Sequence, residues 1–379
     1  MKRSVERILT THTGSLPRPD DLLALLGERD AGRLKDGAAF ESRVRAAVAD
    51  VVQKQLATGM DVINDGEQGK PDYSTYVKDR LTGFEGESAA PAMGADMKEF
   101  PEFAARARVA SLVKRPTCSG PIAWRDWAQV EKEIDNLKAA VRDTRAEEVF
   151  MTAVSPGQAA RFLLNRYYGS DEAYLVALAD ALKREYRAIV DAGFLLQVDC
   201  PDLASGRNNQ FQHLTPAEFQ KVAAMHVELL NHAVADIPPD RMRLHLCWGN
   251  YEGPHHKDVP LKEIIGIVLK ARPAALSFEA ANPRHEHEWV VFKEVKLPEG
   301  KVIIPGVLDS TTNFIEHPEL VAQRIVRYAR LVGRENVIAG TDCGFGTFAG
   351  TPMVHPSIAF AKLRSMAEGA RLASQELWP

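Results

Sequence analysis

Several stretches of the chain combine helical hydrophobic spacing with a following glycine and a short apolar run. Between residues 44 and 56, valines and leucines recur every three or four positions, and Gly59 ends the predicted helix. The short segment Asp61-Val-Ile then predicts a buried strand, and the acidic residues Asp65 and Glu67 follow that strand. This order of helix, glycine and strand is typical of a βα repeat.

The same pattern returns further along the chain. Apolar residues between 178 and 190 predict a helix that Gly193 ends, and the strand after it finishes at Asp199. A third helix begins at Thr215-Pro-Ala-Glu, which has the residues of an N-cap, a first-turn proline and a capping box. Its successor strand runs into His245 and Cys247.

Strands and helices alternate along most of the chain. A further helix is predicted at 318–331, before the strand that precedes Cys343, and other strands are predicted at 8–11, 116–119, 150–154, 275–279 and 302–308. The total is one more than the eight strands that a barrel needs. We therefore predict an α/β fold, a (β/α)₈ TIM barrel, in which one of these strands lies outside the barrel.

Residues whose side chains could act in catalysis or bind a metal lie where the predicted strands end: Glu67, Asp199, His245, Cys247, Glu279, Asp309 and Cys343. A TIM barrel gathers such residues at the carboxyl ends of its strands. A doubly wound open sheet is the alternative, but its site would be concentrated at one or two crevices. The sequence is interpreted as a single barrel domain over residues 1–379, with long loops at 83–114 and 250–260 over the mouth.

Composition narrows the class of protein. The 379 residues carry a formal net charge of −4, which disfavours nucleic acid and anionic membranes as partners. No apolar stretch is long enough to span a membrane, and the first residues lack the apolar core of a signal peptide. Four cysteines in a chain of this size are expected to be reduced thiols in the cytoplasm.

His245 and Cys247 are candidate metal ligands. Residues i and i+2 of a strand point to the same side, so these side chains can converge on one ion that the distant Cys343 completes. Three such ligands with an open fourth position are typical of a catalytic zinc site. The alternatives are a buried core histidine with ordinary buried thiols, or a rival set that includes His285 and His287.

Three of these segments resemble the cobalamin-independent methionine synthases, specifically their catalytic C-terminal barrel. His245-Leu-Cys resembles the family's His-x-Cys zinc pair, and Thr341-Asp-Cys-Gly resembles its Asp-Cys-Gly ligand segment. Ser277-Phe-Glu resembles the strand that supplies a further ligand. The resemblance thus implies a Zn²⁺ site formed by His245, Cys247, Glu279 and Cys343, with Glu279 as the exchangeable ligand.

The resemblance also implies substrate contacts. Thr11-His-Thr-Gly-Ser-Leu-Pro resembles the family segment that holds the amino-acid thiol, which assigns Gly14 and Ser15 to substrate binding. Asp65-Gly-Glu and Val198-Asp199 resemble the strand ends that bind the substrate amine, and these supply Glu67 and Asp199. Gly120-Pro with Trp127 resembles the folate-side segment.

One strand departs from the family pattern. Gly306-Val-Leu-Asp-Ser-Thr-Thr has Ser310 or Thr311 where the family has a catalytic histidine. The proton for the leaving group is therefore expected from Asp309, from Glu67 or from a water held by Thr311 and Thr312. His12, at the end of the first strand, is a further candidate.

The resemblance implies a zinc-dependent thiol methyltransferase that moves a methyl group from a methyltetrahydrofolate-type donor to homocysteine. Its partners are then two small molecules, a thiol and a methyl donor, and the sequence leaves the oligomeric state open. Alkylation of another thiol, as in the related zinc-dependent epoxyalkane:coenzyme M transferases, is an alternative. A zinc hydrolase or lyase and a non-catalytic thiol or folate binder are others.

Overall fold

Eight parallel strands form one sheet in the computed structural model, which describes residues 1–87, 92–106, 115–351 and 353–379. In chain order, the strands are β1 (Leu9–Thr10), β2 (Val62–Ile63), β3 (Phe84–Glu85), β4 (Thr117–Cys118), β5 (Glu148–Val154), β6 (Leu195–Asp199), β7 (Met242–Leu246), β8 (Ala275–Phe278), β9 (Val302–Leu308) and β10 (Ile338–Thr341). The sheet order is β1-β10-β9-β8-β7-β6-β5-β2, so consecutive barrel strands are neighbours.

Polar contacts join the two end strands and close the barrel. The Asp61 N–H donates to the Thr10 carbonyl over 3.2 Å, and the Thr10 N–H donates to the Asp61 carboxylate over 2.8 Å. The Thr11 hydroxyl donates to the Val62 carbonyl over 3.1 Å. The predicted (β/α)₈ barrel is confirmed.

The surplus strand of the sequence prediction is the one at 116–119. It forms as β4 but pairs antiparallel with β3, with Phe84 opposite Cys118, in a separate two-stranded sheet. This hairpin lies in the connection between barrel strands β2 and β5. Its short length explains the error, because four apolar or small residues do not distinguish a barrel strand from a hairpin strand.

Helices connect the strands around the barrel. They are α1 (Asp20–Asp30), α2 (Gly37–Ala57), α3 (Val77–Arg80), α4 (Pro101–Arg106), α5 (Ala128–Val141), α6 (Pro156–Phe162), α7 (Asp171–Asp191), α8 (Ser205–Asn208), α9 (Pro216–Ala233), α10 (Leu261–Val268), α11 (Pro318–Val332) and α12 (Pro356–Leu377). Short 3₁₀ helices lie at Met97–Glu99, Pro201–Leu203, Pro239–Arg241, Glu286–Lys293 and Arg334–Asn336. None of the described helices has the length and hydrophobicity needed to span a bilayer.

Local sequence signals set the helix ends. The Thr215 side chain and the Glu218 carboxylate form the predicted capping box at the start of α9. Gly59 and Gly193, which follow α2 and α7, have φ values of 84° and 95°. Only glycine adopts these angles without strain, so the two predicted helix stops are confirmed and the chain turns directly into β2 and β6.

The barrel interior changes character along its axis. At the amino-terminal end it is apolar, with Phe150, Leu195 and Val62 packed together. Further up, the buried Arg243 guanidinium lies 4.2 Å from the centre of the Phe150 ring and donates to the Thr11 hydroxyl over 2.9 Å. The interior is therefore apolar at the amino-terminal end and polar from the level of Arg243 to the carboxyl ends of the strands, where a TIM barrel places its active site.

The two segments predicted as long loops differ in their secondary structure. The described part of 83–114 contains β3, a 3₁₀ helix and α4, while residues 88–91 and 107–114 lie outside the described part of the chain. The segment 250–260 contains no regular element before α10. Asp96 connects the two segments, since it accepts hydrogen bonds from the Tyr251 hydroxyl and, over 3.0 Å, from the His255 N–H.

Candidate functional site

Three predicted metal ligands converge at the carboxyl end of the barrel. Ligand atoms of His245, Cys247 and Cys343 all lie within 4.8 Å of one another. The two sulfur atoms are 3.2 Å apart, and the Cys343 sulfur is 3.8 Å from Nε2 of His245. Both cysteines are free thiols. Strand β7 supplies the first two side chains through its alternating pleat, and the chain just after β10 supplies the third.

The protonation states of these groups suit a metal ion. Burial, with a smaller effect of Arg243, lowers the pKa of His245 to about 3, so the imidazole is neutral and has a free lone pair. The hydrogen bond with Cys343 lowers the pKa of Cys247, but burial and Glu279 outweigh it and raise that pKa to about 11. Burial likewise raises the pKa of Cys343. A divalent cation would offset this cost by converting the thiols to thiolates.

Neighbouring groups orient the donors. The Ser277 hydroxyl lies 3.2 Å from Nδ1 of His245, which directs Nε2 toward the cysteines. The Gly249 N–H donates to the Cys247 sulfur over 3.2 Å. The Asp342 carboxylate accepts the N–H groups of Ala280, Ala281 and Asn282 at 2.7–2.8 Å and so fixes the loop after β8.

Glu279 lies at the edge of this cluster. Its Oε1 is 3.5 Å from the Cys343 sulfur and accepts the Trp248 N–H over 2.7 Å, while Oε2 accepts the Asn282 side-chain amide over 2.9 Å. The carboxylate is thus close enough to approach an ion but is already held by backbone and amide donors. This arrangement suits a ligand that enters and leaves the metal.

The rival set around His285 forms a different structure. Nδ1 of His285 is 2.9 Å from the Glu288 carboxylate and Nε2 is 3.2 Å from Asp258, and His255 lies 2.6 Å from the same Asp258 oxygen. Burial lowers the pKa of His285, but these carboxylates outweigh it and raise the pKa to about 10. His285 is therefore a protonated member of a hydrogen-bonded network, and the exposed His287 is not part of it.

A cavity of about 470 Å³ opens above the metal donors. This volume falls within the range of pockets that enclose small-molecule ligands. His245, Cys247 and Cys343 line it together with three predicted substrate residues, Ser15, Glu67 and Asp199. The cavity therefore brings the two halves of the sequence prediction, metal ligands and substrate contacts, into one space.

Glu67 and Asp199 give one wall of the cavity its acidic character. Oε1 of Glu67 accepts the Thr152 hydroxyl over 2.8 Å, while its buried Oε2 has no hydrogen-bond partner among the described residues. Asp199 accepts the Gln197 side-chain amide over 2.7 Å. Burial raises the pKa of both carboxyls, and the charge of Glu67 adds to the effect on Asp199. The pair has spare acceptor capacity for a cationic group.

Backbone geometry holds Glu67 in place. Its φ is 55°, a left-handed value that is uncommon outside glycine. The Arg18 guanidinium donates to the Glu67 carbonyl over 2.8 and 3.1 Å, which fixes this turn from behind. Gly14 lies against the Glu67 side chain. A Cβ at this position would lie 2.7 Å from a Thr152 methyl group and 3.0 Å from Oε1 of Glu67. Gly14 thus contributes by allowing this close approach.

Of the residues predicted as proton donors, Glu67 lines the cavity, whereas Asp309, Thr311 and His12 do not. Both Asp309 oxygens are engaged by its own turn, where they accept the backbone N–H and hydroxyl groups of Thr311 and Thr312. His12 is buried, with Nε2 2.7 Å from Gln55, and burial lowers its pKa to about 4. None of these residues lines the cavity, which argues against the acid roles predicted for Asp309, Thr311 and His12.

Trp127 is also outside the cavity. It occupies the N-cap position of α5 without a side-chain capping bond, its ring packs edge-on against Trp124 at 4.7 Å, and the Arg184 guanidinium lies 3.8 Å from its ring centre. These contacts place Trp127 in the helical layer, and its predicted folate contact stays a prediction. The segment that does reach the cavity is α6, which follows β5.

Sequence reasoning missed many cavity residues, among them Tyr73, Arg115, Arg161 and Phe162. Arg161 and Phe162 end α6, which begins at Ser155-Pro156 directly after the predicted strand at 150–154. Their position after a barrel strand was the available signal. The Tyr73 hydroxyl accepts the Gln158 side-chain amide over 2.8 Å, so its own hydrogen is available to a ligand.

Comparisons with known proteins agree with this geometry. The sequence profile of the family described as "Cobalamin-independent synthase, Catalytic domain" matches residues 8–101 and 166–371. Proteins named methionine synthase from Thermococcus kodakarensis and Saccharolobus solfataricus are 24% and 23% identical over 97% of this chain, and the alignments cover 94% and 95% of those proteins.

A solved structure has the same fold. The B12-independent methionine synthase from Shewanella sp. W3-18-1, determined in complex with selenomethionine, superposes with a TM-score of 0.76 at 20% identity. The superposition covers 98% of this chain and 99% of that one. Since the family profile matches most of the chain, the protein belongs to the family of the cobalamin-independent synthase catalytic domain.

Proposed function

We propose that this protein forms methionine by transferring a methyl group from a methylated amine donor, of the methyltetrahydrofolate type, to homocysteine. The observation that carries the proposal is the convergence of His245, Cys247 and Cys343 on the floor of a cavity whose wall bears two buried carboxyl groups. The names of the relatives point to the same reaction. We take the whole chain as one catalytic unit, and its four free thiols suit a reducing compartment such as the cytoplasm.

Zinc is the metal that best suits the donor set. Two thiols and a neutral imidazole are typical Zn²⁺ ligands, and Glu279 is placed to act as a fourth, exchangeable ligand. When bound, the ion lowers the pKa of the substrate thiol so that the sulfur is a thiolate at neutral pH. The hydrolase alternative fits less well, because hydrolytic zinc sites favour histidine and carboxylate over two thiolates.

The acidic wall orients homocysteine. An ammonium group between Glu67 and Asp199 would use the unpartnered Oε2 of Glu67 and would favour ionisation of both carboxyls. Ser15 also lines the cavity and provides a further hydroxyl, and Gly14 leaves room for the Glu67 carboxylate. These contacts fix the amino-acid end, so the side-chain sulfur extends toward Cys247 and Cys343.

The cavity limits the choice of proton donor for the leaving amine. Among the acids predicted from the sequence only Glu67 lines it, but the homocysteine ammonium that ionises Glu67 leaves this carboxylate without a proton to donate. The Tyr73 hydroxyl lies in the same space, and its own hydrogen is free to donate. We therefore assign proton delivery to the cavity wall and not to the Asp309 turn.

The deciding experiment measures metal content together with X-ray absorption at the zinc edge. Spectra are taken before and after addition of homocysteine, coenzyme M and glutathione separately, and methionine formation is assayed in parallel. The proposal expects one zinc per chain, with two sulfur ligands that become three with homocysteine only. A third sulfur with coenzyme M only would favour the epoxide-type alternative. Absence of zinc, or no change with any thiol, would contradict the mechanism.

A further inference from the structure

The Gln158 side chain bridges two residues of the cavity wall, Arg161 and Tyr73. Its Oε1 accepts a terminal N–H of Arg161 over 2.7 Å, and its Nε2 lies 2.8 Å from the Tyr73 hydroxyl oxygen. A guanidinium can only donate, so the amide oxygen has to face Arg161 and the NH₂ group has to face Tyr73. The orientation of this amide is therefore fixed by the chemistry of its partners.

This orientation decides the direction of the hydrogen bond at Tyr73. Because the amide N–H donates to the hydroxyl oxygen, the hydrogen of the hydroxyl has to point away from Gln158. In the described part of the chain no residue accepts that hydrogen, and Tyr73 lines the cavity. The wall thus presents an O–H donor to a molecule in the cavity.

Gln158 is held firmly in the first turn of α6. Its side chain is fully buried, and its backbone N–H donates to the Ser155 hydroxyl oxygen over 3.0 Å. The Ser155 hydroxyl in turn donates to the Asp202 carboxylate over 2.7 Å, and Nδ1 of His226 lies 2.8 Å from the other Asp202 oxygen. These buried contacts restrain the start of α6, so the amide approaches Tyr73 from a rigid element.

The turn that carries Tyr73 is also fixed. The Asp72 carboxylate accepts the N–H groups of Ser74 and Thr75 over 2.6 and 2.7 Å. The Asp72 backbone pairs with that of Phe348, and the Phe348 ring packs edge-on against the Tyr73 ring with 6.0 Å between their centres. Both ends of the hydrogen bond between Gln158 and Tyr73 are therefore positioned before a substrate binds.

Resting on the proposed function, we propose that Tyr73 delivers the proton to the leaving amine of the methyl donor, and that Gln158 is the positioning residue that directs this proton into the cavity. The homocysteine sulfur forms a bond to the methyl carbon while the carbon–nitrogen bond breaks. The electron pair of that bond stays on the nitrogen, which takes the Tyr73 proton. The phenolate that remains regains a proton from water once the products leave.

The surroundings of Tyr73 suit this role. Burial and, to a smaller extent, Cys247 raise the pKa of Tyr73, whereas Arg161 opposes them, so the hydroxyl holds its proton at neutral pH. Gln158 links Arg161 to Tyr73, which keeps a positive charge near the oxygen that becomes a phenolate. The hydroxyl is thus a donor in the resting state and has a cation nearby to offset the charge it gains.

The test compares two methyl donors that differ in their leaving group. The amine released from 5-methyltetrahydrofolate needs a proton, whereas the iodide released from methyl iodide needs none. The variants are Tyr73→Phe, which removes the hydrogen, and Gln158→Glu, which has the same shape but offers Tyr73 an acceptor oxygen and so reverses the hydrogen bond. Tyr167→Phe and Gln53→Glu are matched controls at exposed positions. Melting temperatures verify that each variant is folded.

With the amine donor, we expect kcat to fall ~100-fold or more in Tyr73→Phe and ~10-fold or more in Gln158→Glu. The rate of homocysteine methylation by methyl iodide, corrected for the uncatalysed reaction, and the homocysteine KM should stay unchanged. A readout without turnover is the infrared C–O stretching band of Tyr73, isolated by subtracting the spectrum of Tyr73→Phe. This band should shift in Gln158→Glu, because the hydroxyl changes from accepting a hydrogen bond to donating one.

Three results would overturn the proposal. Equal losses with both donors would show that the variants disturb the site as a whole, and a raised homocysteine KM with unchanged kcat would assign the hydroxyl to the amino acid. Full activity of Tyr73→Phe with the amine donor would place the proton elsewhere and leave the proposed function standing. If the unaltered protein methylates homocysteine with methyl iodide but not with amine donors, the proposed function itself is wrong and the role of Tyr73 is lost with it.

Discussion

The ends of strands β7 and β9 lie on the same rim of the barrel but differ in how their side chains are hydrogen-bonded. After β7, His245 and Cys247 face the cavity with donor atoms that contact mainly each other and Cys343. After β9, Asp309 is equally buried, but each of its oxygens accepts two hydrogen bonds from the following turn. One strand end has free bonding capacity and the other has none.

This difference shows what distinguishes a functional strand end from a structural one. A carboxylate that satisfies two backbone N–H groups and two hydroxyls stabilises a turn, and withdrawing it would leave those donors unpaired. A thiol or carboxyl that faces a cavity without such partners can bind something else. In a TIM barrel an active-site residue lies on this rim. Whether a given rim residue can bind a ligand depends on how many of its polar atoms are still without a hydrogen-bond partner.

The largest effect should follow loss of a metal donor. We expect Cys343→Ala to lose bound metal and to lower methyl transfer by at least ~100-fold, since even the groups that only orient metal ligands contribute about 10–100-fold. Metal content by mass spectrometry and methionine formation measure both effects. The matched control is Cys118→Ala, because Cys118 is a buried free cysteine in the β3–β4 hairpin, away from the cavity lining. Retention of metal in Cys343→Ala would contradict the assignment.

The pH dependence of metal binding tests the same strand end. In the metal-free protein the pKa of Cys247 is raised to about 11 and that of Cys343 is also raised, while His245 is neutral above its pKa of about 3. Both thiols are therefore protonated at neutral pH and must lose a proton to bind. The apparent zinc affinity should fall as pH falls, by ~100-fold per unit for two protons released. Calorimetry in buffers of different ionisation enthalpy counts the protons, and a count of zero would refute this description.

Asp199 and Asp309 allow a direct comparison of two buried aspartates on the rim. Asp199→Asn should raise the homocysteine KM by ~10–100-fold, because it removes one charge-assisted contact to the substrate amine. Zinc content should stay unchanged. Steady-state kinetics with homocysteine varied and the donor saturating provide the measurement. An unchanged KM would exclude Asp199 from the amine site.

The sequence allowed the metal-binding pair on β7 to be predicted but not the hydrogen bonding of Asp309 after β9, and the reason is physical. The β7 pair could be predicted because alternation along a strand is a fixed geometric rule, and the capping box of α9 follows an equally local rule. The acid role of Asp309 stays a prediction, and its hydrogen bonds to Thr311 and Thr312 could not be foreseen because they depend on side-chain rotamers that the sequence does not specify. The hairpin strand at 117–118 was misassigned because pairing direction depends on distant chain segments.

The cavity arginines illustrate the same limit. Arg161 follows a correctly predicted strand, but its side chain turns into the cavity only because Gln158 and Ser205, 44 residues farther along, hold the guanidinium. Arg115 reaches the same wall from the hairpin connection. Contacts between separate βα units determine which residues of a loop face the substrate, and no periodic pattern in the sequence records them.

The smallest effect on catalysis should follow substitution of Asp309. This variant tests directly whether the strand end after β9 stabilises the fold or takes part in the reaction. Asp309→Asn keeps the size of the side chain but replaces one acceptor oxygen by an amide that faces the Thr312 or Thr311 donors. We expect the free energy of unfolding to fall by about 1–3 kcal/mol, with kcat and both KM values within about twofold of the unaltered protein. Differential scanning calorimetry and steady-state kinetics measure the two effects. A loss of kcat with unchanged thermal stability would restore Asp309 as the acid, and would show that its turn opens during turnover to release a carboxyl that the resting structure holds closed.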